Sequence, residues 1–358
     1  MIGCGMTARP HCATPRCGFD RSMNYRALGR TGLRVSEIGF GAWGIGGQPE
    51  RARRSYGPTD DATSLVALEA AAELGGNFID TADAYGAGHS EALIGRFLAG
   101  RRDRVIVATK FGHFPFEDPR RHVPTPENVR FCLEESLRRL GTDYVDLYQC
   151  HECTLETARQ HGVAATLEQL KAEGKIRHAG ISVYGATQIR QVARGEYGAV
   201  FETIQESYNV TTLLFREALH EAAAAGLGII VREPLGNGLL SGRWTGREAW
   251  SEKHSRGIRT PEQTAMRVEF ARRVGEFLPA PGRSLVQALI RFALEDIPAS
   301  VVIPGCKTPQ QVRENFGASA SPPLSDVELA AVHRVHAELL REFGRIHPYA
   351  MDSALGLG

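Results

Sequence analysis

The sequence predicts an α/β protein with the architecture of a (β/α)8 TIM barrel. Eight short runs rich in Val and Ile have the composition of buried parallel strands. They alternate with eight segments whose apolar residues recur at helical spacing. Eight such pairs favour a closed barrel. The length of 358 residues also suits one barrel with insertions, since a barrel typically needs about 250 residues.

An open doubly wound sheet is the alternative architecture. It would have a glycine-rich fingerprint between its first strand and the helix that follows. The first predicted strand contains Gly39-Phe40-Gly41, but the third glycine is missing at the required offset and no helix begins at once. The barrel therefore remains the favoured prediction.

A short N-terminal β-hairpin comes first, because segments 25–28 and 33–36 flank the turn residues at 29–32. The eight barrel strands then follow in order. They are predicted at residues 38–43, 77–82, 105–110, 145–151, 178–182, 203–208, 228–233 and 300–305.

Helical patterns separate these strands. Two of them begin with a hydroxyl residue before a proline, Thr125-Pro126 and Thr308-Pro309, which is a typical helix start. The eight helices are predicted at residues 62–74, 90–99, 127–140, 163–173, 186–194, 214–225, 284–294 and 309–316.

Two stretches depart from a minimal barrel. Residues 236–282 form a long insertion after strand seven, with no clear pattern, and residues 322–358 follow the eighth helix. Ser325-Asp326 would cap an extra C-terminal helix at 327–342. We expect one barrel domain over 23–358, preceded by a disordered extension over 1–22.

The charge balance excludes several function classes. The chain has 42 Lys and Arg against 41 Asp and Glu, so its charge gives no reason to expect nucleic acid or an anionic membrane as partner. No apolar run approaches the roughly 18–20 residues of a membrane span. We expect a soluble protein with a small-molecule partner; its oligomeric state is not predicted.

The cysteines predict a cytoplasmic location. There are 7 of them, and an odd number in a long chain argues against a disulfide scaffold. Cys150 and Cys153 form a C-x-x-C pair around His151, but no second Cys/His pair stands at zinc-ligand spacing. We therefore predict no metal site.

Four polar residues mark the predicted catalytic face. Asp80, Lys110 and His151 end strands two, three and four, and Tyr85 lies in the loop after strand two. In such a barrel the carboxyl ends of the strands form the active-site mouth. Each residue alone has a structural interpretation, such as a salt bridge or a loop aromatic. Together on three adjacent strands, they predict an active site.

This combination suits the reduction of a carbonyl group. The alkoxide that develops must be protonated or stabilised as hydride arrives. A phenol has an ordinary pKa near 10, and a nearby ammonium lowers it. Asp80 would orient Lys110, Lys110 would tune Tyr85, and Tyr85 would donate the proton while His151 polarises the carbonyl oxygen. Which of Tyr85 and His151 gives the proton is left open.

Three motifs resemble the aldo-keto reductase superfamily over about residues 25–316. They are the segment 77–86 followed by Ser90-Glu91, the segment 108–110, and the segment 146–151. The resemblance implies the four catalytic roles given above. It also implies NADPH, with NADH as the alternative, bound without a Rossmann domain.

The resemblance implies specific cofactor contacts. Ser182 and Gln205 would bind the carboxamide, and Lys307 would pair with the 2′-phosphate of NADPH. Arg232 either stacks on the nicotinamide or forms a salt bridge. The implied cofactor-binding residues are Gly41, Ala42, Trp43, Asp80, Ser182, Gln205, Arg232, Glu233, Pro234, Leu235, Gly236, Gly238, Gly305, Lys307, Gln311 and Asn315.

The substrate is predicted only as a small carbonyl compound, such as a sugar, an aldehyde or a ketone intermediate. Trp43, Tyr85, Phe111 and His151 are expected to line its pocket. Two alternative functions remain open. One is a cofactor-binding regulatory module on the same barrel, and the other is an isomerase or lyase that uses the four residues without net redox chemistry.

Overall fold

A computed structural model of the chain describes residues 23–49, 55–112, 123–151, 153–251 and 253–343. The predicted extension over 1–22 lies outside the described residues. Within them, the predicted barrel is confirmed. No helix of the described segments is both long and apolar enough to cross a membrane.

Eight parallel strands form the barrel. In chain order after the hairpin strands β1 (Tyr25–Ala27) and β2 (Arg34–Ser36), they are β3 (Phe40–Gly41), β4 (Phe78–Asp80), β5 (Ile106–Phe111), β6 (Val145–His151), β7 (Ile176–Ser182), β8 (Phe201–Ser207), β9 (Gly228–Arg232) and β10 (Val301–Ile303). Each pairs with the next. Parallel bridges from Ile38 to Val302 and from Gly41 to Gly305 join the first strand to the last, so the barrel closes.

Eleven α-helices surround the strands in the described residues, and the eight predicted ones are among them. They are α1 (Asp61–Glu73), α2 (His89–Leu98), α3 (Pro126–Leu140), α4 (Leu155–Gln160), α5 (Val163–Ala172), α6 (Ala186–Ala193), α7 (Arg216–Ala224), α8 (Pro261–Val274), α9 (Leu285–Glu295), α10 (Pro309–Phe316) and α11 (Asp326–Glu342).

The hairpin closes the amino-terminal end of the barrel. Leu28 and Val35 are fully buried and pack in one apolar cluster with strand residues such as Phe78 and Leu147. A Cβ at Gly29 would lie 2.1 Å from the backbone nitrogen of Gly228, so this turn requires glycine. Because this end is filled, a ligand can enter only at the opposite, carboxyl end of the strands.

The insertion after β9 contains a helix that the sequence analysis missed. The stretch 236–282 was expected to have no pattern, yet it includes α8. Thr260 accepts from the Gln263 backbone N–H at 3.2 Å, and the Gln263 side chain accepts from the Thr260 backbone N–H, which is a capping box. Pro261 follows the cap. Thr260, Pro261 and Gln263 form a sequence pattern from which the start of α8 could have been predicted.

The extra C-terminal helix is present as predicted, with Ser325 as its cap. It packs against the barrel through a buried carboxylate. Asp296 accepts from Arg216 Nε at 3.3 Å, pairs with His333 Nε2 of α11 at 2.8 Å, and also bonds the hydroxyl of Tyr208. The helix is thereby fixed to the outer wall.

Candidate active site

The strand ends bring the four predicted residues together. Asp80, Lys110 and His151 lie at or next to the carboxyl ends of β4, β5 and β6, and all three are at least nine-tenths buried. Side chains alternate between the two faces of a strand, and these three point toward the barrel axis. The loop after β4 adds Tyr85, which is 8% exposed.

Lys110 is the centre of this group. Its Nζ donates to Asp80 Oδ1 at 2.6 Å, to the Thr81 carbonyl at 2.8 Å and to the Tyr85 hydroxyl at 3.0 Å. An ammonium has three N–H donors, so all are used. Burial lowers the pKa of Lys110, and the charge of Asp80 opposes that shift. The ammonium is therefore fixed in direction and lies directly against the phenol oxygen.

The second carboxylate oxygen of Asp80 is held by two amides. Gln149 Nε2 donates to it at 3.1 Å and Gln205 Nε2 at 2.7 Å, while Gln205 also donates to Gln149 Oε1 at 3.2 Å. Gln149 was missed by the sequence analysis. It stands two residues before His151 on the same strand, so strand alternation was the available signal.

Tyr85 and His151 present their rings to the same space. Their ring centroids are 6.2 Å apart in an edge-on arrangement, and the ring of Trp43 lies 5.1 Å from that of Tyr85. All three residues line a cavity of about 1070 Å³ at the mouth of the barrel. A carbonyl group between Tyr85 and His151 would therefore meet two proton-bearing groups.

Most of the predicted ligand contacts line this cavity. Besides the residues named above, they are Gly41, Ala42, Asp80, Gln205, Arg232, Glu233, Pro234, Leu235, Gly238, Gly305, Lys307, Gln311 and Asn315. Gly236 and Ser182 are not among the lining residues. The volume lies at the upper end of the roughly 300–1,000 Å³ of ordinary ligand sites, so the cavity can hold a large ligand.

Phe111 does not line the pocket, so that prediction is wrong. The residue follows Lys110 directly on β5, and because Lys110 points inward, Phe111 points outward toward the helices. It is fully buried in the core, and its ring centroid lies 4.8 Å from that of Tyr148. The strand continues one residue past its predicted end at 110, and alternation along the longer strand places Phe111 there.

Ser182 carries a buried hydroxyl whose Oγ has no hydrogen-bond partner in the described part of the chain. Its strand neighbours in register are His151 on β6 and Gln205 on β8, which both line the cavity. A buried polar atom without a partner is costly. A carboxamide bound at this strand end would satisfy it, so the residues present fit a nicotinamide.

Arg232 forms the salt bridge that was one of its two predicted roles. Its Nη2 donates to Glu206 Oε1 at 3.0 Å and to the Val183 carbonyl at 3.4 Å, and its guanidinium lies 5.0 Å from the ring centroid of Tyr184. Burial raises the pKa of Glu206 to about 7, against the effect of the Arg232 charge. Arg232 still lines the cavity.

The far end of the cavity is cationic. Lys307 Nζ donates to the backbone carbonyls of Tyr56 and Pro58 at 3.2 and 3.0 Å, and the Lys307 backbone N–H donates to Gln311 Oε1 at 2.7 Å. Thr308 caps α10, so the helix N-terminus adds backbone N–H groups beside the lysine. An anionic group is favoured here.

Several lining residues from the insertion and from the loops after β3 and β7 were not predicted from the sequence. Arg256 is the clearest case: its Nε donates to the Asn237 carbonyl at 2.8 Å, and its guanidinium lies 4.7 Å from the ring centroid of Trp244. A bridge between Ser55 and His254 joins the two segments. No spacing rule predicts this long-range contact. Other lining residues that were not predicted include Tyr56, Tyr184, Arg243, Arg259 and Arg267.

Comparison with known proteins agrees with this geometry. The profile of the Aldo/keto reductase family matches residues 37–337. Aldo-keto reductase YhdN of Bacillus subtilis is 31% identical over 298 residues, 81% of this chain and 87% of that protein. L-galactose dehydrogenase of Arabidopsis thaliana is 30% identical over 82% of this chain and 87% of that protein. The holo form of aldo-keto reductase AKR11C1 from Bacillus halodurans gives a TM-score of 0.71 at 29% identity, covering 87% and 96% of the two chains.

Proposed function

The chain belongs to the aldo-keto reductase family and is an oxidoreductase of that family, and we propose that it reduces an aldehyde or ketone to an alcohol with NADPH. Tyr85 is the general acid of this reaction. The observation that carries the proposal is the contact of Lys110 Nζ with both Asp80 and the Tyr85 hydroxyl at the floor of the cavity.

Each residue of the group has a separate task. Tyr85 gives its hydroxyl proton to the substrate oxygen, and the Lys110 ammonium stabilises the phenolate that remains. Asp80 keeps the ammonium in place, because it is itself held by two amides. His151 donates a hydrogen bond to the same substrate oxygen and polarises the carbonyl. The cofactor, when bound, supplies the hydride.

Different parts of the cavity wall would bind different parts of the cofactor. Ser182 and Gln205 would bind the carboxamide, and Arg232 would interact with the nicotinamide. The loop from Glu233 to Gly238 would hold the pyrophosphate. Lys307 and the N-terminus of α10 would hold the 2′-phosphate, which would favour NADPH over NADH. The cationic end of the cavity and the partnerless hydroxyl of Ser182 support this arrangement.

The substrate is a small hydroxylated carbonyl compound. L-galactose dehydrogenase, among the relatives, is named for a sugar. In this chain the aromatic rings of Trp43 and Tyr56 form a tilted pair with centroids 6.4 Å apart on the cavity wall, and both residues line the cavity. Such rings suit the apolar faces of a sugar ring, and polar neighbours suit its hydroxyl groups.

The place of action is the cytoplasm. Four cysteines in the described residues, Cys132, Cys150, Cys153 and Cys306, are free and buried. Unpaired thiols suit a reducing compartment.

Replacing Tyr85 with Phe tests the assignment of the general acid. The ring stays in place but the proton is lost, so kcat should fall by about 10²–10⁴-fold, the usual contribution of a positioned acid. The measurement is the loss of NADPH absorbance with a panel of aldehydes, ketones and keto-sugars. NADPH affinity, measured by fluorescence titration, should be unchanged. Turnover equal to that of the wild type would remove Tyr85 from this role.

A further inference from the structure

A buried ion pair stands on the cavity wall opposite the four catalytic residues. Glu206, the penultimate residue of β8, is fully buried, and Arg232, the last residue of β9, reaches the cavity. The pair contacts at 3.0 Å. Glu206 itself does not line the cavity, so any effect it has on a ligand must pass through Arg232.

The carboxylate of Glu206 is held by the backbone. It accepts from the Gly185 N–H at 2.9 Å and from the Ser207 N–H at 2.6 Å, besides its contact with Arg232. The guanidinium of Arg232 also lies over the ring of Tyr184. Arg232 is therefore anchored in one orientation, and its charge is at a fixed place.

The charge of Arg232 reaches the catalytic group. Although burial is the larger cause, Arg232 also lowers the pKa of Lys110, so the two cations act on each other across the cavity. A ligand group between Arg232 and Lys110 is exposed to the electrostatic potential of both cations. Without the charge of Glu206, the cation would oppose a positive charge on that ligand more strongly, and the low polarity of the site strengthens the effect.

We propose that Glu206 is a positioning residue that holds Arg232 beside the nicotinamide and offsets its charge, so that the site accepts the oxidised cofactor as well as the reduced one. This inference rests on the proposed function, which puts the nicotinamide next to Arg232. The ring is cationic in NADP⁺ and neutral in NADPH. The observable consequence is the ratio of the two dissociation constants, Kd(NADP⁺)/Kd(NADPH).

Substitution of Glu206 with Gln should raise this ratio about tenfold, because Arg232 then loses its closer, fully buried carboxylate partner and keeps the more exposed Glu233, at 3.5 Å. Arg232→Gln removes the cation, and the double variant removes both charges. In the double variant the ratio should return to the wild-type value, since Glu206 acts only through Arg232. Fluorescence titration of the four proteins with each dinucleotide measures the ratio without turnover.

The wild-type protein supplies a second readout. The groups that act on the Glu206 carboxyl are Arg232, Glu233 and the backbone N–H groups of Ser207 and Gly185. Because the pKa of Glu206 lies at about 7, it is protonated below that pH, and the ratio should rise as the pH falls from 8 to 6. The 2′-phosphate titrates in both dinucleotides, so its effect cancels. In Glu206→Gln the ratio should not change with pH.

The outcomes separate the two proposals. If the wild type binds neither dinucleotide, the proposed function fails and the inference fails with it. If both bind and the ratio is the same in the wild type and Glu206→Gln, only the inference is overturned. A rise that persists in the double variant would also overturn it, because Glu206 would then act without Arg232. A wild-type ratio that is independent of pH would count against it even if Glu206→Gln did not fold.

Discussion

Lys110 has little freedom at its position. All three N–H groups are engaged by Asp80, Thr81 and Tyr85, and the side chain is fully buried. A buried ammonium is costly unless a carboxylate compensates it. The charge of Asp80 thus favours the ammonium form of Lys110, and Asp80 directs that ammonium at the hydroxyl of Tyr85, the proposed proton donor.

The pH profile of kcat tests this relation. Burial lowers the pKa of Lys110, and Asp80 raises it. Reduction should therefore fall on the alkaline side as the ammonium is lost, below the ordinary lysine value of about 10.4. In Asp80→Asn this limb should move to lower pH, because the group that opposed the shift is gone, and kcat should drop by about tenfold or more. Gln149→Met, which removes one of the two amides that hold Asp80, is the control and should move the limb less. An unmoved limb in Asp80→Asn contradicts the account.

The sequence predicted some residues and not others for a physical reason. Asp80, Lys110 and His151 end strands, so barrel geometry alone puts them at one mouth. Phe111 was assigned wrongly because it was considered as a neighbour of Lys110 in sequence, whereas alternation turns neighbours to opposite faces. Arg256 could not be predicted, since its place depends on how a long insertion folds against residues 55–58.

At the scale of elements, the strands and the eight expected helices were predictable because each is a local pattern. α8 was not, although its start at Thr260 has a capping box with Gln263. Its apolar residues are spread among many charged ones, which weakened the periodic signal. The helix matters to the site because Arg267 on its buried side lines the cavity.

Loss of this cap should weaken the insertion. Thr260→Ala removes the side-chain acceptor at the start of α8, which typically costs about 1 kcal/mol. Thermal denaturation should show a lower midpoint, and backbone amides of α8 should exchange faster with solvent. Thr260→Ser keeps the oxygen and is the matched control. Equal midpoints and equal exchange for the two variants would show that the cap does not stabilise α8.

At the scale of the whole molecule, the cavity is assembled from segments far apart in the chain. Lys307 of the loop after β10 binds carbonyls of Tyr56 and Pro58 in the loop after β3. Burial lowers the pKa of Lys307, and the charge of Arg256 in the insertion lowers it further. The amino-terminal end of the barrel is filled by the hairpin. The carboxyl end of the barrel therefore carries both the four proposed catalytic residues and a cationic region that suits an anionic cofactor.

Substitution of Lys307 with Ala should separate the two cofactors. A charge-assisted hydrogen bond to the 2′-phosphate is lost with NADPH and was never present with NADH, so NADPH affinity should fall roughly tenfold more than NADH affinity. Lys307→Arg keeps the charge and should retain most of the preference. Fluorescence titration of each variant with NADPH and with NADH measures this preference. Equal losses for NADPH and NADH would mean that Lys307 does not read the 2′-phosphate.

The measurement that tests the central claim most directly is the transfer of label from the cofactor. NADPH carrying deuterium at both positions of C4 of the nicotinamide is incubated with the protein and a carbonyl substrate found in the panel, and the product is analysed by mass spectrometry and NMR. The account predicts one deuterium on the carbon that bears the new hydroxyl, with one NADPH consumed per alcohol formed. Product without deuterium, formed without loss of NADPH, would contradict hydride transfer and indicate isomerisation or elimination at the same four residues.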